Sequence, residues 1–279
     1  MSKLIILTLT WNRSDLITKL KESLIPALSE IDRSWEWWIK DNASQDNTIP
    51  IIKSWGLDKI KLIAYENNLQ NYAEGNNLLF DAAAPADDDY ILLLNNDIIF
   101  RDSQSIPKMI NIMEKDKDVG VVGARLLYTG TNLIQHCGVV ISNLHKLPMH
   151  FRSGQKTDLN DKKNRLFQSI TGACLLTKAE YYKNICTTNK FGVKGLNQDQ
   201  VWAFDDIDAC LSIKYNMGKK IVYCGETNIF HEESVSLKKK PTNKLYSKHN
   251  VQTFNKNWGS RIILDEEFYV KDNNFNLYR

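Results

Sequence analysis

The chain has 279 residues, with 36 Lys and Arg against 33 Asp and Glu, a formal net charge of +3. A hydrophobic share of 43% and a charged share of 25% exclude disorder, a collagen-like fibre and a disulfide-dense scaffold. The near-balance of charge argues against a dedicated nucleic-acid binder, and the length suits one large α/β domain or two small ones.

Residues 4–9 form a short apolar run of strand type. Lys3 before that run has a faint look of a leader segment. Thr8 and Thr10 interrupt it, however, and Asn12-Arg13-Ser14-Asp15 follows with no small-residue cleavage site, so a first buried strand is expected. Ser14 is placed to cap a helix carrying Leu16, Ile17, Leu20 and Leu24 at helical spacing. Residues 35–39 read as a second strand, and Ile49, Ile51, Ile52 and Trp55 as a second helix ended by Gly56. A third strand over 60–65 and a helix over 73–84 follow, the latter stopping before Pro85. The fourth strand, 90–94, is nearly all apolar and expected to be buried on both faces. A helix over 105–117 continues the alternation. Strand and helix in turn imply βαβ units and a mainly parallel sheet.

Beyond Val119 the pattern loosens. Apolar runs at 139–141, 173–177 and 221–224 lie among loops, and one clear helix runs from Asp206 to Met217, stopping at Gly218. The longest apolar runs fall far short of the ~18 to 20 residues of a bilayer span. Cysteines 137, 174, 186, 210 and 224 are odd in number and include no C-x-x-C pair, which favours reduced thiols in a cytoplasm over disulfides or zinc. The expected division is a nucleotide-binding half over 1–125, an acceptor half of the same domain over 126–236, and a basic tail over 237–279.

In a parallel α/β sheet, ligands bind outside the carboxyl ends of the strands. Thr10, Trp11 and Asn12 follow strand one, and Asp41 and Asn42 follow strand two. Glu66, Asn67 and Asn68 follow strand three, and Asn95, Asn96 and Asp97 follow strand four. These amides and carboxylates suit a polar ligand. Neither G-x-G-x-x-G nor G-x-x-x-x-G-K-[ST] is present, so a dinucleotide site and a P-loop are not expected. A phosphorylated ligand then calls for a metal, and Mg²⁺ typically uses one or two carboxylates plus substrate phosphate. Asp97 suits that role, and equally suits a turn. Asp41 suits a ligand contact or an Asx turn. Asp205, Asp206 and Asp208 open a helix, where acids complement the macrodipole, and one of them beside a hydroxyl is a candidate general base. His231 is a candidate metal ligand or an ordinary core histidine.

Thr8-Leu9-Thr10-Trp11-Asn12-Arg13, Asp41-Asn42-Ala43-Ser44-Gln45-Asp46, Asn76-Asn77, Leu94-Asn95-Asn96-Asp97, Thr171-Gly172-Ala173-Cys174, Phe204-Asp205-Asp206-Ile207-Asp208 and His231 together resemble the ordered motif series of family 2 glycosyltransferases with the GT-A fold. The resemblance covers roughly residues 4–236. It implies an α/β GT-A fold and a metal-dependent inverting transferase using a nucleotide sugar. Thr10 and Asn12 would touch the nucleotide, and Asp41 would accept from the N3–H of uracil or thymine. Asn77, Asn95 and Asn96 would join the nucleotide-sugar side, and Thr171 and Gly172 would line the sugar pocket. Asp97, last acid of the family's D-x-D motif, and His231 would hold Mn²⁺ or Mg²⁺. Asp206 would be the base, with Asp205 the alternative. Asn95 stands where D-x-D has its first acid, a variant that resembles the rhamnosyl- and galactofuranosyl-transferase subgroup and points to dTDP-rhamnose or a UDP-sugar.

The implied acceptor is a glycan or lipid-linked glycan of a bacterial surface polysaccharide. Lys238, Lys239, Lys240, Lys244, Lys248, Lys256 and Arg261, with Phe254 and Trp258 among them, suit either an anionic leaflet at the inner face of the membrane or a solvated surface. Two rivals stand beside the enzyme. A nucleotidyltransferase would carry a Gly-rich basic loop, which residues 8–13 lack. A degenerate domain that only binds sugar or a partner is consistent with Asn95.

Overall fold

The computed structural model describes residues 2–64, 66, 71–185, 195–201, 203–232 and 243–278, with backbone alone for 243–247. The expectations at Asn67, Asn68, Cys186, Lys238, Lys239 and Lys240 lie outside the described residues, as does the Lys244 side chain.

The first half alternates as the pattern predicts. β1 (Leu4–Thr10), α1 (Ser14–Leu28), β2 (Trp35–Asp41), α2 (Thr48–Ser54), β3 (Ile60–Ala64), α3 (Tyr72–Ala83) and β4 (Tyr90–Leu94) follow one another. Ser14 is the first residue of α1 and not its cap. Arg13 takes the cap position in the left-handed region, and the Ser14 N–H donates instead to Asp46 Oδ2 at 3.0 Å. Next come β5 (Ile98–Phe100), α4 (Ser105–Lys115), β6 (Val119–Tyr128), β7 (Ile134–His136), β8 (Val139–Ile141), β9 (Pro148–His150), β10 (Arg165–Phe167) and β11 (Cys174–Lys178). α5 (Ala179–Lys183), α6 (Asp205–Met217), β12 (Lys220–His231), α7 (Asn243–Trp258) and α8 (Glu266–Lys271) follow.

Eight strands run in the order β10-β12-β6-β11-β4-β1-β2-β3, with β5 on β12 and β7 on β6. β1 pairs parallel to β2 and β4, and β2 parallel to β3. β11 lies antiparallel between β4 and β6. Along β1, Leu4 and Ile6 pack into a layer with α1 and α4, while Ile5 and Leu7 pack with α3, α5 and α6. This period-2 division buries both faces of the sheet. The 125/126 division falls inside β6, so the two halves share one sheet.

Two expectations are corrected. The run at 221–224 is only the start of a strand that continues to His231. A register shift between Cys224 and Ile229 interrupts its pairing with β6, and the polar residues there hide the continuity. Residues 243–278 are no solvated tail. Phe254 and Trp258 are buried against Ile207 and Leu211 of α6, and Trp258 Nε1 donates to Asp208 at 2.8 Å. The aromatics given to a membrane surface are therefore core, although Lys248 and Lys256 are exposed. Among the described residues no helix is long and apolar enough to cross a membrane.

Candidate active site

Strand order reverses between β1 and β4, which places the expected crevice at their carboxyl ends. Asn96 Nδ2 bridges it, donating to Thr10 Oγ1 at 3.2 Å. The loops after β1 and β2 lock each other. Asn42 N–H donates to Thr10 O at 2.8 Å, Asn12 N–H to Ser44 Oγ at 2.6 Å, and Gln45 N–H to Asn12 Oδ1 at 2.8 Å. Asn12, Arg13 and Ala43 all have positive φ, a strained arrangement that concentrates at functional loops.

Asp41 does not reach outward. Its side chain is fully buried, and its two oxygens accept from Ser44 N–H at 2.8 Å and Ser44 Oγ at 2.5 Å. The geometry supports the Asx-turn reading of Asp41. Asn77 is likewise engaged within the protein. It is buried, and its amide brackets Leu196, donating to the carbonyl and accepting from the N–H at 2.9 Å each. Tyr182 Oη donates to the same Asn77 oxygen at 2.8 Å.

Asp97 and His231 do meet. β5 pairs antiparallel with the end of β12, with His231 opposite Ile98, and Glu232 N–H donates to Asp97 O at 3.0 Å. His231 Nε2 then lies 3.0 Å from Asp97 Oδ1, both side chains mostly buried. The pair makes no aligned hydrogen bond, and Asp97 Oδ1 and His231 Nδ1 have no other partner. A buried carboxylate oxygen and imidazole nitrogen converging without a hydrogen bond fit a shared cation. Among the described residues no group of three or more His, Cys, Asp or Glu side chains forms a metal cluster. Two ligands suit a divalent ion whose other positions go to substrate phosphate and water.

The second cluster opens α6. Phe204 has φ 71° at the N-cap of α6, an outlier for an aromatic residue, and the helical rotation that follows turns the acids to different surroundings. Asp208 is buried and accepts from Trp258. Asp205 is buried, its Oδ2 without a partner. Burial first, and the neighbouring Asp206 second, push its carboxyl well above the ordinary range. Asp206 is half-buried, and its Oδ2 accepts from Gly172 N–H at 2.7 Å. Gly172 belongs to residues 171–173, which are stitched to the Asp97 loop. Asn95 N–H donates to Ala173 O at 2.9 Å, and Cys174 pairs with Leu94. Thr171 and Gly172 are thus set between the metal-type pair and Asp206. Thr171 N–H also points to His136 Nε2 at 3.5 Å.

Sequence reading passed over Tyr72, His136 and Asn250. Asn250 Nδ2 donates to Val201 O at 2.6 Å and Ala203 O at 3.2 Å, while its oxygen accepts from Val201 N–H at 3.1 Å. It therefore braces the segment leading into Asp205. Only the spacing of Tyr72, one turn before Asn76, marked it at all.

A doubly wound sheet with an acid–imidazole pair at its reversal and a helix-borne carboxylate beside it defines a class, and solved structures match it. One is GalNAc-T7 with UDP, GalNAc and Mn²⁺, with a TM-score of 0.65 at 11% identity over 91% of this chain and 48% of that one. Another is the mannosyltransferase PcManGT of Pyrobaculum calidifontis in complex with GDP-Man and Mn²⁺, at 0.58 and 15% over 91% and 63%. A third is S. aureus TarS 1–349, at 0.54 and 12% over 96% and 77%. These likenesses show the GT-A fold. The model of the family described as "Glycosyl transferase family 2" matches residues 5–186, and the chain belongs to that family. O-antigen biosynthesis protein RfbC of Myxococcus xanthus is 24% identical over 238 residues, 81% of this chain. The chain spans only 17% of that relative's length.

Proposed function

We propose that the protein is an inverting glycosyltransferase that moves a sugar from a UDP- or dTDP-sugar to a hydroxyl of a glycan or lipid-linked acceptor in bacterial surface polysaccharide synthesis. The observation that carries this reading is the placement of Asp206. It is a half-buried carboxylate held by a backbone N–H, on the same crevice as the Asp97–His231 pair. The printed name of RfbC supports the polysaccharide context.

In this reading Thr10, Asn12 and Asn96 edge the nucleotide, and Thr171 and Gly172 face the sugar. Asp206 takes the proton from the acceptor hydroxyl as its oxygen attacks the anomeric carbon. The bond to the diphosphate breaks on the opposite face, so the configuration inverts. Asp97 and His231 would hold Mn²⁺ or Mg²⁺, which when bound supplies positive charge to the diphosphate. Asn95 leaves this site one negative charge short of D-x-D. Burial and the neighbouring Asp206 raise the Asp205 carboxyl well above its ordinary range, so Asp205 is the poorer candidate for the base.

The test is calorimetry with UDP- and dTDP-sugars, each with Mn²⁺ and with chelator. One donor should bind with the metal and weaken on chelation. No binding across the panel by folded protein would overturn the reading in favour of a degenerate sugar- or partner-binding domain.

A further inference from the structure

Tyr72 opens α3, whose preceding residue Asn71 caps it by accepting from Glu74 N–H at 3.1 Å. Its phenol meets the Asn76 side chain of its own helix. Its Oη also donates across the crevice to the carbonyl of Gly172 at 3.3 Å. The N–H of that same residue donates to Asp206 Oδ2 at 2.7 Å. One residue thus has its oxygen held from α3 and its N–H holding α6. The space is equally shared. A Cβ placed on Gly172 would lie 3.1 Å from Asp206 Cβ and 3.7 Å from both Asp206 Oδ2 and Tyr72 Oη. Thr171 and Ala173 are tied elsewhere, to His136 and Asn95. Gly172 is the link through which Tyr72 can act on Asp206.

We propose that Tyr72 is a positioning residue for the reaction, fixing the base Asp206 through the Gly172 peptide. The inference rests on the reading of Asp206 as general base. A carboxylate that accepts N–H bonds is favoured in its charged form. Asp206 Oδ1 accepts from Ile207 N–H at 2.8 Å within α6, and the Gly172 bond to Oδ2 is the one that reaches it from outside the helix. Without the phenol the Gly172 carbonyl loses its restraint, and the N–H aimed at Asp206 loosens with it. The titratable groups facing this pair are Asp205, Asp208 and Cys210 on α6, Asp97 after β4 and Tyr182 on α5. Burial, then the charges of Asp205 and Asp206, push the Tyr72 phenol well above its ordinary value, so it remains a donor throughout the working range.

The experiment compares wild type, Tyr72→Phe, Gly172→Ala and Asp206→Asn for transfer and for donor binding by calorimetry. Tyr72→Phe should lower kcat about 3- to 10-fold, the effect of one hydrogen bond. Its donor Kd should be unchanged, and the acid limb of its pH–rate profile should move up. Gly172→Ala should also lose kcat, because its methyl displaces Asp206. Unchanged kcat and pH profile in Tyr72→Phe, with Asp206→Asn inactive, would overturn the inference and leave the reading of Asp206 intact. A weakened donor Kd at unchanged kcat would also overturn it, making Tyr72 a donor contact. If Asp206→Asn transfers like wild type, the reading of the base fails and the inference falls with it.

Discussion

The two ends of the crevice are built in opposite ways. Around β1 and β2 every motif residue is spent on its neighbours. Asn12 is paired with Ser44 and Gln45, Asp41 with Ser44, and Asp46 with Ser14 and Thr48. Around β4, β12 and α6, buried polar atoms make no hydrogen bond: Asp97 Oδ1, which meets only His231 Nε2, His231 Nδ1 and Asp205 Oδ2. A buried polar atom without a hydrogen bond costs free energy, so a folded protein keeps one where a ligand or a proton will meet it. In the proposed reading the first region is mainly scaffold, with Thr10 and Asn12 at its edge, and the second is the receptor. Motif residues of the same chemical type therefore do different work.

The largest effect should come from the receptor side. Asp206→Asn should lower kcat by about 10²- to 10⁴-fold, the usual worth of a general base, while donor binding by calorimetry survives. Asp97→Ala should cost on the order of 10²-fold in transfer and abolish the difference between Mn²⁺ and chelator in donor binding. Retained metal-dependent binding in Asp97→Ala would erase the contrast drawn between the two regions. On the scaffold side, Asp41→Ala should act on stability. Leaving the Ser44 donors unpaired in a buried site should cost about 1–3 kcal/mol in denaturant unfolding. If Asp41→Ala instead unfolds like wild type but loses preference for pyrimidine nucleotides, Asp41 belongs with the receptor.

The alternation of strand and helix over the first hundred residues was legible because hydrophobic period and turn residues act locally. The receptor was legible only in part. Asp97, Asp206 and His231 stood out by residue type at strand and helix ends. What joins them is set by pairing between distant segments. His231 reaches Asp97 only because β12 continues past its register shift to pair with β5. The burial of Asn77 and Asp41 was not legible, because motif membership does not say whether an amide or carboxylate faces inward. The brace from Asn250 to residues 201–203 had no local signal, since it joins residues about fifty apart.

Of the two α6 acids at the crevice, the smaller effect on turnover and the sharper on pH should come from Asp205. Its folded-state pKa is raised by burial and by Asp206, above the ordinary value of about 3.9 in the unfolded chain. Between those two values the folded state binds more proton than the unfolded state. The stability contributed by the neutral carboxyl is therefore fully present below about pH 4 and lost as pH rises through the folded value. Asp205→Asn removes this titration while keeping the shape of the side chain. Its melting temperature should approach or fall below that of wild type near pH 4, and gain on it steadily toward pH 8. Transfer should fall by less than about tenfold, because Asp206 at the crevice is retained. A gap in melting temperature that stays flat from pH 4 to 8 would mean that Asp205 ionises as readily in the fold as outside it. Burial would then not set Asp205 apart from Asp206.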